Sequence, residues 1–300
     1  RLWDWKPKII AGGNHVSLFP NEPTSLEAFD HIVVGDGEEA VLQIVEGRTK
    51  EKIVYSPKDT PLESFGTIDF GLVDMSRYTM QVDGRLGATI HASRGCLYSC
   101  YYCGSATIKK LRKRPIGDVL QEMHDLYHKH NRRGFYFVDD IFTADKQFTK
   151  RLCGAIALNF KDVVLRVTTR ADLLDDEICE SLKLAGCNIV CLGLESGSDK
   201  VLKAMHKGMT VAQQRRGVEL CKKHGLKVKG FFLFPNPEDD LETFEETLQF
   251  AKELDLDYVD IYKTTPYPGT PLWDTPEKFG FDIQKPMDGD YTHYHQTDTD

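Results

Sequence analysis

Several features that define common non-enzymatic classes are missing from this chain of 300 residues. No stretch approaches the roughly 20 apolar residues that cross a bilayer, and no segment has the pattern of a secretory signal peptide. Acidic residues outnumber lysine and arginine by 46 to 38, which gives a net charge of −8. An acidic chain argues against a general nucleic-acid-binding surface. We therefore expect no membrane partner and no nucleic-acid partner, and we expect the basic run 109–114 to be a solvated loop.

The cysteines do not have the even spacing of a disulfide framework. Five of the eight are scattered among apolar residues of predicted helices and strands, where cysteine acts as a small hydrophobic residue; they are Cys153, Cys179, Cys187, Cys191 and Cys221. Free thiols indicate a reducing cytosol. An apolar content of 41% is enough for a large core, and the length predicts one or two domains.

The other three cysteines, Cys96, Cys100 and Cys103, have the spacing C-x3-C-x2-C. Three thiolates so close in sequence can converge on one face of a loop and bind three irons of a 4Fe-4S cube. The fourth iron then stays open to a substrate or cofactor. Two alternatives remain at this point: chance clustering of core thiols, and a zinc site closed by a remote histidine. A structural zinc site usually uses two cysteine pairs, and the chain has no second pair at such spacing.

From residue 88 onward, short apolar segments alternate with amphipathic ones. This alternation predicts six βα-type repeats, with strands at 88–92, 134–139, 163–168, 188–194, 226–234 and 258–264. Such a pattern is typical of parallel strands with helices outside, and it predicts an α/β fold with a partial (β/α)6, TIM-like barrel. Chemistry in such barrels lies at the carboxyl ends of the strands.

Polar residues follow these predicted strands and are the candidates for a site. The cysteine loop follows the first strand, Asp139 and Asp140 the second, Arg170 the third and Glu195 the fourth. The three acids each precede a predicted helix, so helix N-capping is an alternative role for them. Because the cysteine motif lies on the neighbouring strand, we favour ligand contact.

The cysteine loop, with Tyr102 before its last cysteine, resembles that of the radical S-adenosylmethionine (SAM) enzymes. The resemblance implies that Cys96, Cys100 and Cys103 hold a 4Fe-4S cluster whose open iron chelates the amino and carboxylate groups of SAM. An electron from the cluster then splits SAM into methionine and a 5′-deoxyadenosyl radical. The same resemblance implies that Tyr102 lies near the adenine.

Further segments resemble the cobalamin-dependent subgroup of these enzymes; they are residues 137–142, 185–187, 193–197 and 266–272. The resemblance implies that Asp139 or Asp140 binds the methionine amino group, that Glu195 reaches the ribose or methionine end, and that Arg170 meets the SAM carboxylate. One turn departs from the pattern. The subgroup has Gly-x-Pro-Gly-Glu after the fifth strand, whereas residues 235–239 read Pro-Asn-Pro-Glu-Asp. Proline cannot take the backbone conformation of glycine and has no N–H, so the adenine-side contacts do not carry over here.

The N-terminal residues resemble the second half of a cobalamin-binding Rossmann-like domain. A predicted strand meets Gly12 and Gly13, which would let the backbone approach the nucleotide tail of the cofactor, and a second strand leads through residues 35–39 into a helix. No Asp-x-His-x-x-Gly motif occurs. We therefore expect a fragment or a degenerate domain, and weak or no cobalamin binding by this chain alone.

The predicted organisation is the C-terminal half of a cobalamin domain (1–48), a linker (49–86), a radical SAM barrel (87–275) and the start of a C-terminal extension (276–300). The predicted function is reductive cleavage of SAM, for cobalamin-dependent methylation of an unactivated carbon in a small-molecule substrate, with an electron donor such as flavodoxin or ferredoxin. The alternatives are a cobalamin-linked oxidative cyclase or rearrangement enzyme, and a non-catalytic iron-sulfur protein that kept the fold.

Overall fold

The computed structural model describes residues 7–21, 27–57, 60–107 and 110–282. Within these ranges the chain divides into two compact units, residues 7–65 and residues 66–282. The ends of the predicted first and last domains, residues 1–6 and 283–300, lie outside the described residues, as do positions 22–26, 58–59 and 108–109.

The first unit is a small parallel sheet with two helices. Strands β1 (Ile10–Ala11), β2 (His31–Val34) and β3 (Ile53–Tyr55) pair in the order β1-β2-β3, and helices α1 (Asn14–Leu18) and α2 (Gly37–Val45) follow β1 and β2. Their core consists of buried aliphatic side chains from strands and α2. Strand β3 lies inside the predicted linker 49–86, so part of that segment belongs to this sheet.

The second unit is built on a seven-stranded sheet in the order β12-β11-β10-β9-β8-β5-β4. Six of its strands are parallel and curl into a half-barrel, and β4 pairs antiparallel with β5 at one edge. The strands are β4 (Gln81–Val82), β5 (Arg85–Ile90), β8 (Gly134–Phe137), β9 (Val164–Thr169), β10 (Cys187–Glu195), β11 (Lys227–Phe234) and β12 (Tyr258–Lys263).

Amphipathic helices alternate with these strands along the chain. They are α3 (Ile116–Lys129), α4 (Lys146–Asn159), α5 (Asp176–Leu184), α6 (Asp199–Ala204), α7 (Val211–Lys223), α8 (Leu241–Leu254) and α9 (Pro271–Asp274). Short 3-10 helices occupy Leu62–Phe65, Phe70–Leu72, Met75–Arg77, Gly104–Thr107, Ala171–Leu173 and Pro276–Phe279. The α/β half-barrel predicted from the repeats is confirmed.

One face of the sheet carries the core of the second unit. Every second residue of β9, for example Leu165 and Val167, is fully buried in one apolar cluster with residues of α3, α4 and α5 such as Leu126, Leu152 and Ile178. Each such side chain contributes about 1.5–3 kcal/mol through removal from water. Because all six parallel strands run the same way, their carboxyl ends share one edge of the sheet.

A two-stranded hairpin stands beside this edge, formed by β6 (Ser93–Arg94) and β7 (Arg112–Lys113). Strand β7 takes Arg112 and Lys113 from the basic run. Lys110 and Lys113 are exposed, whereas Arg112 and Arg114 are buried, so the predicted solvated loop is wrong for the two arginines. Arg114 is buried and forms a bidentate ion pair with the buried carboxylate of Glu122 on α3. Lys109 lies outside the described residues.

Candidate active site

The cysteine loop lies between β6 and β7, at the carboxyl edge of the sheet. Cys100 is buried, and Cys96 and Cys103 are partly exposed; none is in a disulfide. The backbone N–H of Cys103 donates to the carbonyl of Cys100 at 3.2 Å. The loop is also attached through Tyr101, whose N–H donates to the carbonyl of Met205 and whose carbonyl accepts from the N–H of Leu272.

The two aspartates after β8 fix this loop rather than standing free. Asp139 is buried, and its Oδ1 accepts from the N–H of Ser93 at 2.6 Å while its Oδ2 accepts from the N–H of Ala92 at 3.0 Å. Asp140 accepts from the N–H of Gly95 at 3.0 Å and from the hydroxyl of Ser105. Burial raises the pKa of Asp139 to about 6, although these donors act in the opposite direction. Binding of the methionine amino group by either acid stays a prediction.

The carboxylate of Glu195 lies in a buried polar cluster. Its Oε1 accepts from the ammonium of Lys207 at 2.7 Å and from the hydroxyl of Tyr102 at 3.0 Å, and both Glu195 and Lys207 are more than nine-tenths buried. Burial, followed by the charge of Glu195, raises the pKa of Tyr102 well above its usual value of 10, so the phenol remains a donor. Burial also raises the pKa of the Cys100 thiol, whereas Lys207 lowers it.

The local backbone geometry points the side chain of Glu195 toward Lys207 and Tyr102. Strand β10 changes register against β11 between Gly193 and Glu195, and Glu195 has a left-handed φ of 66°. Such bulges redirect a side chain next to a functional site, and a non-glycine residue in this conformation is held there by its surroundings. A Cβ on Gly193 would lie 2.6 Å from Oε1 of Glu195 and 3.0 Å from Nζ of Lys207, so glycine leaves room for the ion pair.

Arg170 has a protein partner that the sequence did not predict. Its guanidinium makes two hydrogen bonds to the carboxylate of Asp172, at 2.9 and 3.0 Å, and its carbon lies 3.7 Å from the centre of the Tyr98 ring. The side chain is buried. Contact between Arg170 and a SAM carboxylate stays a prediction, and any such contact would share the guanidinium with Asp172.

Helix capping does not explain the three acids at the strand ends. The N-cap of α4 is Asp145, whose carboxylate accepts from the N–H of Phe148 at 2.9 Å, and the N-cap of α6 is Ser198. The alternative role as caps for Asp139, Asp140 and Glu195 is therefore wrong.

The turn after β11 shows how the chain accommodates its departure from the glycine pattern. Pro235 follows a cis peptide bond, and Glu238 takes a left-handed φ of 63° at the place of the subgroup's second glycine. The buried Asn236 closes the turn, because its N–H donates to Asp239 at 2.6 Å and its amide donates to the carbonyl of Leu233.

Lys207 was missed by sequence reasoning. It lies in a short turn between two helices, and its apolar neighbours give no periodic signal that a lysine there is buried. Tyr98 was missed as well, because only the fold brings its ring next to the guanidinium of Arg170.

The predicted glycines Gly12 and Gly13 belong to the first unit, where both are exposed. Gly13 is the N-cap of α1 and has a φ of 97°.

The donor set fits an iron-sulfur cube better than a single metal ion. A structural zinc ion needs ligands that all approach one point at about 2.0–2.3 Å. Among the described residues, no group of three His, Cys, Asp or Glu side chains is placed to hold one metal ion. Each thiolate of a cube binds a different iron, so the three cysteines need only share a face of the loop, and the ammonium of Lys207 can offset part of the negative charge.

Three thiols at the carboxyl edge of a parallel half-barrel, beside a buried acid, define an enzyme core of the iron-sulfur class. The model of the radical SAM superfamily matches residues 90–251, more than half of the chain, and the chain belongs to this superfamily. Membership implies a 4Fe-4S cluster and SAM as the cofactors of the site. Enzymes of this kind need a reductant and a small-molecule substrate.

The chain is similar to proteins named as methyltransferases. It is 29% identical to an uncharacterized methyltransferase of Pyrococcus horikoshii, over 89% of this chain and 62% of the relative. It is 28% identical to a bacteriochlorophyllide d C-8(2)-methyltransferase of Chlorobaculum tepidum, over 88% of this chain and 61% of the relative. The chain thus spans about three-fifths of the length of these relatives.

A solved structure shares the fold. The radical SAM methyltransferase TsrM from Kitasatospora setae, with cobalamin and a [4Fe-4S] cluster bound, superposes with a TM-score of 0.70 at 19% identity, over 92% of this chain and 59% of that one. Among the residues that the structure describes, no helix is both long and apolar enough to cross a membrane.

The arrangement around Asp139 leads to a first prediction. Asp139→Ala leaves the N–H groups of Ala92 and Ser93 without their acceptor, and an unsatisfied buried donor costs about 1–3 kcal/mol. We expect the variant to unfold at lower denaturant concentration and to retain less iron. Denaturant titration, iron analysis and SAM titration measure these quantities. A variant of normal stability that has lost SAM affinity would instead place Asp139 on the ligand.

Proposed function

We propose that this chain contains the catalytic core of an enzyme that cleaves SAM reductively and methylates an unactivated carbon with the help of cobalamin. The observation that carries the proposal is the cysteine loop fixed beside the Glu195–Lys207 pair at one edge of the half-barrel. The similarity to chains named as methyltransferases supports methyl transfer. The parallel sheet of residues 7–65 supports a cobalamin domain ahead of the barrel.

When bound, the cluster supplies the electron that divides SAM into methionine and a 5′-deoxyadenosyl radical, and methylcobalamin supplies a methyl group. The residues of the chain provide position and electrostatics for this chemistry. Asp139 holds Ser93 just before the cysteine loop, and Asp140 holds Gly95 and Ser105 on either side of the three cysteines. Glu195 presents a buried acceptor and Tyr102 a half-buried phenol close to the loop.

The charge of Lys207 has a clear role in this proposal. Burial disfavours the thiolate of Cys100, and the buried ammonium of Lys207 offsets part of this effect. The same ammonium holds the carboxylate of Glu195 in place through its 2.7 Å contact. Glu195 is then ready to accept hydrogen bonds from the hydroxyl or ammonium groups of SAM, as the family resemblance implies.

The glycines of the first unit fit a backbone that a cofactor approaches closely. Within the part of the chain that the structure describes, no heavy atom lies within 4 Å of the place where a Cβ of Gly13 would stand, and its φ of 97° favours glycine. Gly12 and Gly13 are therefore proposed to lie along the nucleotide tail of cobalamin. A one-electron protein such as flavodoxin or ferredoxin is the proposed electron donor.

The proposal is tested on the 300-residue chain, reconstituted with iron and sulfide without oxygen. With dithionite and SAM, we expect 5′-deoxyadenosine and methionine in equal amounts, measured by chromatography. A non-catalytic iron-sulfur protein would hold the cluster and form neither product. In the whole protein, the cobalamin content and the transfer of a labelled methyl group from SAM to a carbon separate methylation from cyclisation or rearrangement, and a product without the label would overturn methyl transfer.

A further inference from the structure

The face of the half-barrel sheet opposite the helices carries a polar and aromatic lining. Tyr136, Arg166 and Cys191 lie on three adjacent strands, β8, β9 and β10, and all contribute to this face. The hydroxyl of Tyr136 lies 3.2 Å from that of Thr168. Across the sheet, the rings of Phe231 on β11 and Tyr262 on β12 contact each other, with centroids 6.0 Å apart.

Arg166 stands near the middle of this lining in a fixed orientation. Its Nε donates to the sulfur of Cys191 at 3.1 Å, and its guanidinium carbon lies 4.5 Å from the centre of the Tyr136 ring. The side chain is half-buried. Stacking on the Tyr136 ring and the contact from Nε to Cys191 fix the plane of the guanidinium. The N–H donors of its two terminal nitrogens remain available to a ligand.

No carboxylate neutralises Arg166 within ion-pair distance among the residues at 7–21, 27–57, 60–107 and 110–282. Other charged groups in the barrel do have acidic partners: Arg114 pairs with Glu122 and Arg170 with Asp172. On the same face as Arg166, Lys229 pairs with Asp260 at 2.6 Å. The charge of Asp260 acts on Arg166 from a longer distance, but that carboxylate is bonded to Lys229 and to the hydroxyl of Tyr262. The terminal nitrogens of Arg166 form a planar fork of donors, which matches a carboxylate in two parallel hydrogen bonds.

We infer that Arg166 binds a carboxylate of the substrate, whose flat apolar body lies against Tyr136 and Phe231. This inference rests on the proposed function, since it takes the half-barrel as the substrate site. Arg166 lies four residues before Arg170, and a strand rises about 3.3 Å per residue, so roughly 13 Å separate it from the edge that carries the cysteine loop. The substrate class is therefore an aromatic or largely apolar carboxylic acid whose reacting carbon lies roughly 10 Å from its carboxylate.

The test uses 2-naphthoate and its neutral analogue 2-naphthamide, titrated by calorimetry into the cluster-loaded chain with SAM present. We expect the wild-type chain to prefer the acid, and Arg166→Met to lower affinity for the acid by about 10-fold or more with little change for the amide. Arg166→Lys is expected to retain part of the preference. Arg85→Met, which removes an exposed arginine at the start of β5, is the matched control and should behave as wild type.

Equal affinities for acid and amide in the wild type, or an unchanged preference in Arg166→Met, would overturn the inference. Circular dichroism and thermal unfolding show whether the variant is folded, and Arg166→Lys keeps the test decisive if the methionine variant is not. Binding of the acid is measured without any SAM cleavage. A chain that binds the acid through Arg166 and forms no 5′-deoxyadenosine would therefore support the carboxylate site and overturn the proposed function.

Discussion

Joint replacement of Cys96, Cys100 and Cys103 by alanine is expected to abolish the iron-sulfur chromophore and all SAM cleavage. Reconstituted wild-type protein should hold about four irons per chain through these three thiolates, and the described residues contain no other three-ligand group that could take over. Iron and sulfide analysis, visible absorbance and 5′-deoxyadenosine formation measure the effect.

The controls come from cysteines elsewhere in the fold. Cys153 and Cys221 are fully buried in the apolar core between helices and sheet, so Cys153→Ala and Cys221→Ala should keep a normal cluster. Their expected cost is a loss of stability from the small cavity. A cluster that survives in the triple variant would show that the ligands have been assigned wrongly.

Glu195→Ala is expected to weaken SAM binding by about 10- to 150-fold, because one charge-assisted hydrogen bond in a buried site contributes about 1.5–3 kcal/mol. The structure adds a second effect. Removing Glu195 leaves the ammonium of Lys207 buried without its partner, and breaking a buried ion pair costs about 3–5 kcal/mol of stability. We therefore expect lower affinity for SAM and a lower unfolding temperature, with the cluster absorbance still present.

Two further variants separate affinity from stability. Glu195→Gln keeps a hydrogen-bond acceptor for Tyr102 and Lys207, and the double variant Glu195→Gln, Lys207→Met removes both charges together. Stability should recover in the double variant, whereas SAM affinity should not. Asp145→Asn changes an acid that caps α4 outside the polar cluster and is the matched control. Unchanged SAM affinity in all Glu195 variants would leave this acid with a structural role alone.

The sequence predicted the strands and helices of the barrel with small errors at their ends. Strand β11, predicted at 226–234, begins one residue later at Lys227, and β9, predicted at 163–168, is displaced by one residue. Local signals are strong here, because buried parallel strands are short apolar runs and the helices have regular apolar spacing. The sequence also predicted that the carboxyl ends of the strands lie at one edge of the sheet, since this holds for any set of parallel strands.

The same reasoning did not find how the polar side chains pair. The structure places Asp139 on the backbone of Ala92 and Ser93 and Arg170 on Asp172, and the sequence predicted neither partner. Contact of these side chains with SAM stays a prediction. Lys207 and Arg114 lie in segments that look solvated, yet both are buried against acids that belong to other elements of the fold. The spacing of apolar residues along a segment does not show which acid from another element will lie beside a lysine or an arginine.

The sequence by itself therefore determined the class of this protein: an α/β half-barrel with a three-cysteine loop at its carboxyl edge. Repetition and motif spacing are local properties, and they can be recognised in the sequence alone. Only the tertiary structure decided which charges are neutralised and which are left for a ligand. Arg114 and Arg170 each have a carboxylate within 4 Å, whereas the contact of Arg166 is the sulfur of Cys191. Ion pairing depends on distance in space and on burial, and both are set only when the strands and helices pack together.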